Sequence, residues 1–84
     1  MLREIEGIEH SDRASYLRFS NMPVERTHCF ADGEINVDLD TDGEVVGIEV
    51  LSLDYEELQT LADLAKKYRL SLTLLMNPSH RGSA

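Results

Sequence analysis

Residues 33–52 read GEINVDLDTDGEVVGIEVLS. Apolar residues alternate on both sides of Asp42-Gly43, a dipeptide that favours the two-residue type I′ hairpin turn. With those two residues as the loop, Thr41 faces Glu44, Leu39 faces Val46, Val37 faces Ile48 and Ile35 faces Val50. Every apolar pair then lies on one side of the sheet. The other side carries Asn36 opposite Glu49, Asp38 opposite Gly47 and Asp40 opposite Val45. A slip of one residue would set Ile35, Val37 and Leu39 against Glu49, Gly47 and Val45, so pattern and turn chemistry specify one register.

Upstream of the hairpin, Leu17 and Phe19 alternate with Tyr16 and Arg18, which predicts a strand until Asn21-Met22-Pro23 breaks it. Val24 to Phe30 is rich in β-branched and aromatic residues. A second Asp-Gly, within Ala31-Asp32-Gly33-Glu34, predicts another hairpin turn. The expected sheet is an antiparallel meander with strands near 14–20, 24–31, 34–41 and 44–51.

Downstream, Asp54 is a good N-cap and Glu57 completes a capping box, with Leu53 and Leu58 as a hydrophobic staple. Leu58, Leu61, Ala62, Ala65 and Tyr68 form a stripe at helical spacing. Lys66, Lys67 and Arg69 close the last turn, where cations suit the helix dipole. This helix should cover Ile35, Val37, Leu39, Val46, Ile48 and Val50. Leu70 to Met76 reads as a short strand, either parallel to the fourth strand through a right-handed crossover or paired with a second copy. The fold class is α+β: an antiparallel β-meander of about four strands, one helix packed on one face and a short C-terminal strand. One domain spans 12–76; residues 1–11 and 77–84 are expected to be partly ordered termini.

Eighty-four residues make a single domain. A chain this short buries roughly 60% of its unfolded surface, which makes a homodimer an attractive source of extra burial. The lone Cys29 excludes an internal disulfide and fits a reducing compartment. No apolar run reaches membrane-span length, and MLREIEGIEH lacks a signal-peptide apolar region, so a cytoplasmic protein is expected. The net charge is −8, and no Lys or Arg lies between Thr27 and Ala65. Such a field repels nucleic acid and anionic lipid and suits a basic protein partner. The candidate partner-binding residues are Asp38, Asp40, Asp42, Glu44 and Glu49.

An alternative reading is calcium. Asp38-x-Asp40-x-Asp42-Gly43-x5-Glu49 fits the twelve-residue EF-hand loop, with Gly at position six and Glu at position twelve. A hard cation needs several converging oxygens, and Asp38, Asp40, Asp42 and Glu49 would supply them. The context argues for the hairpin, because GEINVDL alternates with period two where an EF-hand requires a helix. His28 and Cys29 are strand neighbours pointing to opposite faces, and no zinc spacing exists. There is no glycine-rich phosphate loop and no visible catalytic constellation, so no catalytic residue and no cofactor are assigned. A third reading, a small enzyme, would need a site formed at a dimer interface.

Three stretches carry a family resemblance: Tyr16-Leu17-Arg18-Phe19, Val24-Glu25-Arg26-Thr27, and the long block Asp38 to Leu51, DLDTDGEVVGIEVL. Over about residues 12–52 the chain resembles the small prokaryotic family called domain of unknown function 2283. Ala14 and Ser15 depart from its usual first-strand pattern. The resemblance implies small standalone proteins with no established site residues. Some members are encoded beside a toxin-like partner, which implies an antitoxin-like or regulatory role. Together these features lead to the expectation of an acidic, non-enzymatic interaction module.

Overall fold

The computed structural model describes residues 1–76, so the expected C-terminal tail, 77–84, lies outside the described residues. In chain order the elements are β1 (Arg3–Glu4), β2 (Gly7–His10), β3 (Ser15–Arg18), β4 (Arg26–Phe30), β5 (Ile35–Leu39), β6 (Val45–Val50), α1 (Tyr55–Tyr68), β7 (Leu70–Ser71) and α2 (Thr73–Met76). Five strands form an antiparallel sheet in the order β2-β3-β6-β5-β4. A separate parallel pair joins β1 to β7. The class is α+β, as the residue pattern indicates.

The central hairpin reaches its expected register by an unexpected route. Ile35 pairs with Val50, Asn36 with Glu49, Val37 with Ile48 and Asp38 with Gly47. The loop, however, has three residues. Gly43 N–H donates to the Asp40 carbonyl (3.0 Å) and Asp40 N–H to the Glu44 carbonyl (2.9 Å), enclosing Thr41-Asp42-Gly43. Gly43 has φ +79°, whereas Asp42 is not left-handed, so this is a turn closed by a left-handed glycine and not type I′. A three-residue loop offsets the pairing by one, and Leu39 pairs with Val45. The register shift between Asp38 and Leu39 then inserts Val46 as an extra residue and restores the apolar face.

The strand order departs from a meander. β3 lies against β6, on the far side of the hairpin from β4. The packing gives the reason: Leu17 is fully buried and needs an interior strand, while Arg26 to Cys29 of β4 are all exposed and suit an edge. Residues 1–11, expected to be partly ordered, form β1 and β2. Ile5 is buried in the core, and a hairpin closed at Ser11 and Ala14 lays β2 on β3. That turn contains no glycine and so leaves little trace in the sequence.

The core lies between the α1 side of the sheet and the helix, built from Leu17, Ile35, Val37, Leu39, Ile48 and Val50 with Leu61, Leu64 and Leu70. The buried stripe of α1 differs from the expected one: Leu61 and Leu64 are buried and Ala65 and Tyr68 half-buried, while Leu58 and Ala62 are exposed. Asp54 occupies the N-cap position without a side-chain capping bond. Glu57 instead accepts from Ser52 Oγ at 3.1 Å, so the capping box does not form, and the expected staple residues Leu53 and Leu58 are both exposed. Leu70 to Met76 is only briefly a strand; β7 pairs with β1, not with β6, and the chain then turns into α2. Arg69, at φ +60°, ends α1 in a left-handed cap and its carbonyl accepts from Arg3 N–H at 2.9 Å. No helix among the described residues is long and apolar enough to cross a membrane.

This packing makes a direct prediction. Leu61→Ala should cost about 2–5 kcal/mol in urea unfolding, the usual range for emptying a buried leucine site. Leu58→Ala should stay within about 1 kcal/mol, because that side chain is 41% exposed. Equal losses would restore the wider stripe.

Candidate functional site

Among the described residues, no strand or helix is assigned to cover the face of the sheet opposite α1. Alternation puts Tyr16 from β3, Glu49 and Gly47 from β6, Asn36 and Asp38 from β5, and Thr27 and Cys29 from β4 on it. The Tyr16 ring lies over Gly47, where even a Cβ would overlap it. From there the Tyr16 hydroxyl donates to Asp38 Oδ2 at 2.8 Å, while Thr27 Oγ1 donates to Asp38 Oδ1 at 2.5 Å. Asn36 Nδ2 donates to Glu49 Oε1 at 3.1 Å and to the Gly33 carbonyl at 2.8 Å. Beyond Tyr16, Arg18 forms an ion pair with Glu9 of β2. The result is a preorganised polar face in which two carboxylates are held by neutral donors.

The acidic surroundings act on the tyrosine. Burial, the hydrogen bond to Asp38 and the charges of Asp38 and Glu49 all push the Tyr16 hydroxyl well above its ordinary range. Each disfavours the phenolate, so the group remains a donor to Asp38.

The five acidic residues singled out from sequence do not form one surface. Asp38 and Glu49 project from the open face, and Asp42 is exposed in the turn at its end. Asp40 is only 6% exposed. Its Oδ1 accepts the backbone N–H groups of Asp42 (2.8 Å) and Glu44 (3.0 Å), so it builds the turn and does not face a partner. Glu44 reaches Arg3 at 3.6 Å, although its side chain is largely solvent-exposed. The calcium pattern likewise lies on a hairpin and not between two helices. Among the described residues no group of three or more His, Cys, Asp or Glu converges as a metal site would require.

Tyr16, Thr27 and Asn36 complete the face and were not singled out from sequence. Asn36 was legible through the register that sets it opposite Glu49. Thr27 and Tyr16 depend on which strands flank the hairpin. Gly47, a glycine inside a strand, was the one signal that something must approach closely there. Away from this face, His10 Nδ1 lies 2.9 Å from Ser15 Oγ, a cross-strand pair beside a cavity of about 140 Å³ lined by Ile8, Leu17, Val50, Leu53, Leu74 and Leu75.

Residues 14–53 match the family described as "Protein of unknown function (DUF2283)". The matched segment holds β3 to β6, and with them Tyr16, Thr27, Asn36, Asp38, Gly47 and Glu49; α1, α2, β1, β2 and β7 lie outside it. No curated protein and no solved structure gives a match.

Two measurements check this geometry. Gly47→Ala should cost about 1–3 kcal/mol by displacing the Tyr16 ring, and most of that cost should vanish in a Tyr16→Ala background. An undiminished cost would place the clash elsewhere. Tyr16 also links stability to alkaline pH. Its folded pKa exceeds the unfolded value of about 10, so its contribution is complete below pH ~10 and declines as pH rises above that. Tyr16→Phe should flatten this alkaline decline in equilibrium unfolding, and an unchanged slope would contradict the assignment.

Proposed function

We propose that the protein is a small non-enzymatic interaction module that docks a basic protein partner on the open face of its sheet. The observation that carries this reading is the combination of an uncovered sheet face with two fixed carboxylates. Asp38 accepts from Tyr16 and Thr27, and Glu49 accepts from Asn36, so their positions are set before any partner arrives. A preorganised acceptor loses less side-chain entropy on binding than a free surface glutamate. Asp42 extends the negative field past the end of the sheet, and the chain's net charge of −8 reinforces it at long range.

A lysine- or arginine-bearing segment is the complementary ligand. Arginine would engage the carboxylates through its planar fork. The charge argues against a nucleic-acid ligand, and the family match supports a module centred on these strands. A regulatory role, including the antitoxin-like one suggested by the family resemblance, would follow from the identity of the basic partner. In this reading the protein acts in the cytoplasm.

The test is affinity capture from native lysate with three baits: the wild type, Glu49→Lys, and Asp42→Lys. A basic protein held by the wild type should be released at ~0.5 M salt, where screening shortens to a few ångströms. Each charge reversal should weaken its capture several-fold while circular dichroism stays unchanged. A partner retained equally by all three baits would sink the open-face assignment.

A further inference from the structure

Among the described residues, strand β4 has one neighbour, β5, and its other edge is open. Alternate backbone N–H and C=O groups along Arg26–Phe30 therefore point away from the sheet with no strand to receive them. β2, at the opposite edge, also has a single neighbour, β3; there Ile8 lines a cavity with Leu74 and Leu75 of α2, and the preceding chain is held by β1–β7 pairing.

Natural sheets protect a free edge with lysine, proline, a bulge or an inward-pointing charge. β4 has none of these across Thr27 to Phe30, and its register with β5 is unbroken. Arg26, at its first position, is its one charged residue. Just before it, Met22 and Val24 are 52% and 49% exposed, which extends the strip with apolar surface.

We propose that β4 is a self-pairing edge, through which two copies of the chain join as antiparallel strands in one continuous ten-stranded sheet. Charge favours a second copy at this place above others. Two chains of charge −8 repel wherever their acidic surfaces meet, yet Val24 to Phe30 carries one Glu and one Arg and is neutral overall. An antiparallel pairing is isologous, so each copy presents the same strip. A two-fold axis at His28 sets Arg26 opposite the partner's Phe30, the last residue of the strand. That places a cation beside a ring, twice over. It also sets Thr27 opposite the partner's Cys29. The main-chain bonds satisfy groups that otherwise face water, and the small core gains apolar burial from Met22 and Val24.

The experiment is sedimentation velocity of the full chain from low to high micromolar concentration, under reducing conditions so that no Cys29 disulfide contributes. Hydrogen exchange is followed in parallel. The wild type should show a dimer fraction that rises with concentration. The outward amides of residues 26–30 should become protected over the same range. His28→Lys and Cys29→Lys, each adding an edge lysine, should be monomeric with unchanged far-UV circular dichroism. A wild type that stays monomeric overturns the proposal. So does a dimer whose outward β4 amides exchange freely, because its interface would lie elsewhere. Protection of β4 that appears only when a foreign protein is added would assign the edge to a different occupant. Should a lysine variant fail to fold, the wild-type exchange pattern alone decides.

Discussion

The register between β5 and β6 rests on the carboxylate of Asp40. Buried to 6% exposure, it accepts two backbone N–H groups and so defines a three-residue loop. A carboxylate leaves water at considerable cost unless such donors receive it. The loop offsets the strands by one residue, and the extra residue at Val46 removes the offset. Both features are needed together. Without the bulge, Val37 would face Gly47 and Ile35 would face Glu49, and the period-two alternation would carry apolar side chains to the wrong face. The helix-facing core and the polar open face are thus two consequences of one turn.

Those two faces are stabilised by different physics. On the α1 side, Leu61 and Leu64 close over Val37, Ile48 and their neighbours, and burial does the work. Among the described residues, no helix excludes water from the open side. There the Tyr16 ring lies on Gly47 and covers the β6 backbone, and its hydroxyl joins β3 to β5 across the intervening strand. Glycine at 47 lacks a side chain of its own, so the face gains a ring in contact with main chain instead. This contact also explains why β3 docks beside β6. No such slot exists on β4, where Thr27 and Cys29 fill the corresponding positions.

How much of this was legible follows from the range of each interaction. The pairs from Ile35–Val50 to Asp38–Gly47 could be read because alternation is local and redundant. The loop length could not, because Asp-Gly suits both a two-residue turn and the end of a three-residue one, and only the buried Asp40 decides between them. The β2 hairpin has no glycine to announce it. Leu70 to Met76 is an apolar run too short for its period to distinguish strand from helix. The helix stripe shifted because Leu58 and Leu64 both fit helical spacing, and tertiary packing chose Leu64. Within the candidate site, the opposition of Asn36 and Glu49 was visible, whereas Tyr16 and Asp38 are separated by 22 residues and meet only through strand order.

An open face and an open edge are compatible surfaces, because they point in perpendicular directions. A ligand on the face approaches along the sheet normal, whereas a strand added at β4 lies in the sheet plane. An antiparallel two-fold at β4 runs parallel to that normal, so it sets both open faces on the same side of the joined sheet and both helices on the other. The acidic carboxylates of two copies would then form one extended surface. A basic partner with two positive segments, or one that is itself two-fold symmetric, would bind such a surface with its second contact already intramolecular. Self-pairing at the edge would thereby raise the affinity of the face without adding a residue to either contact.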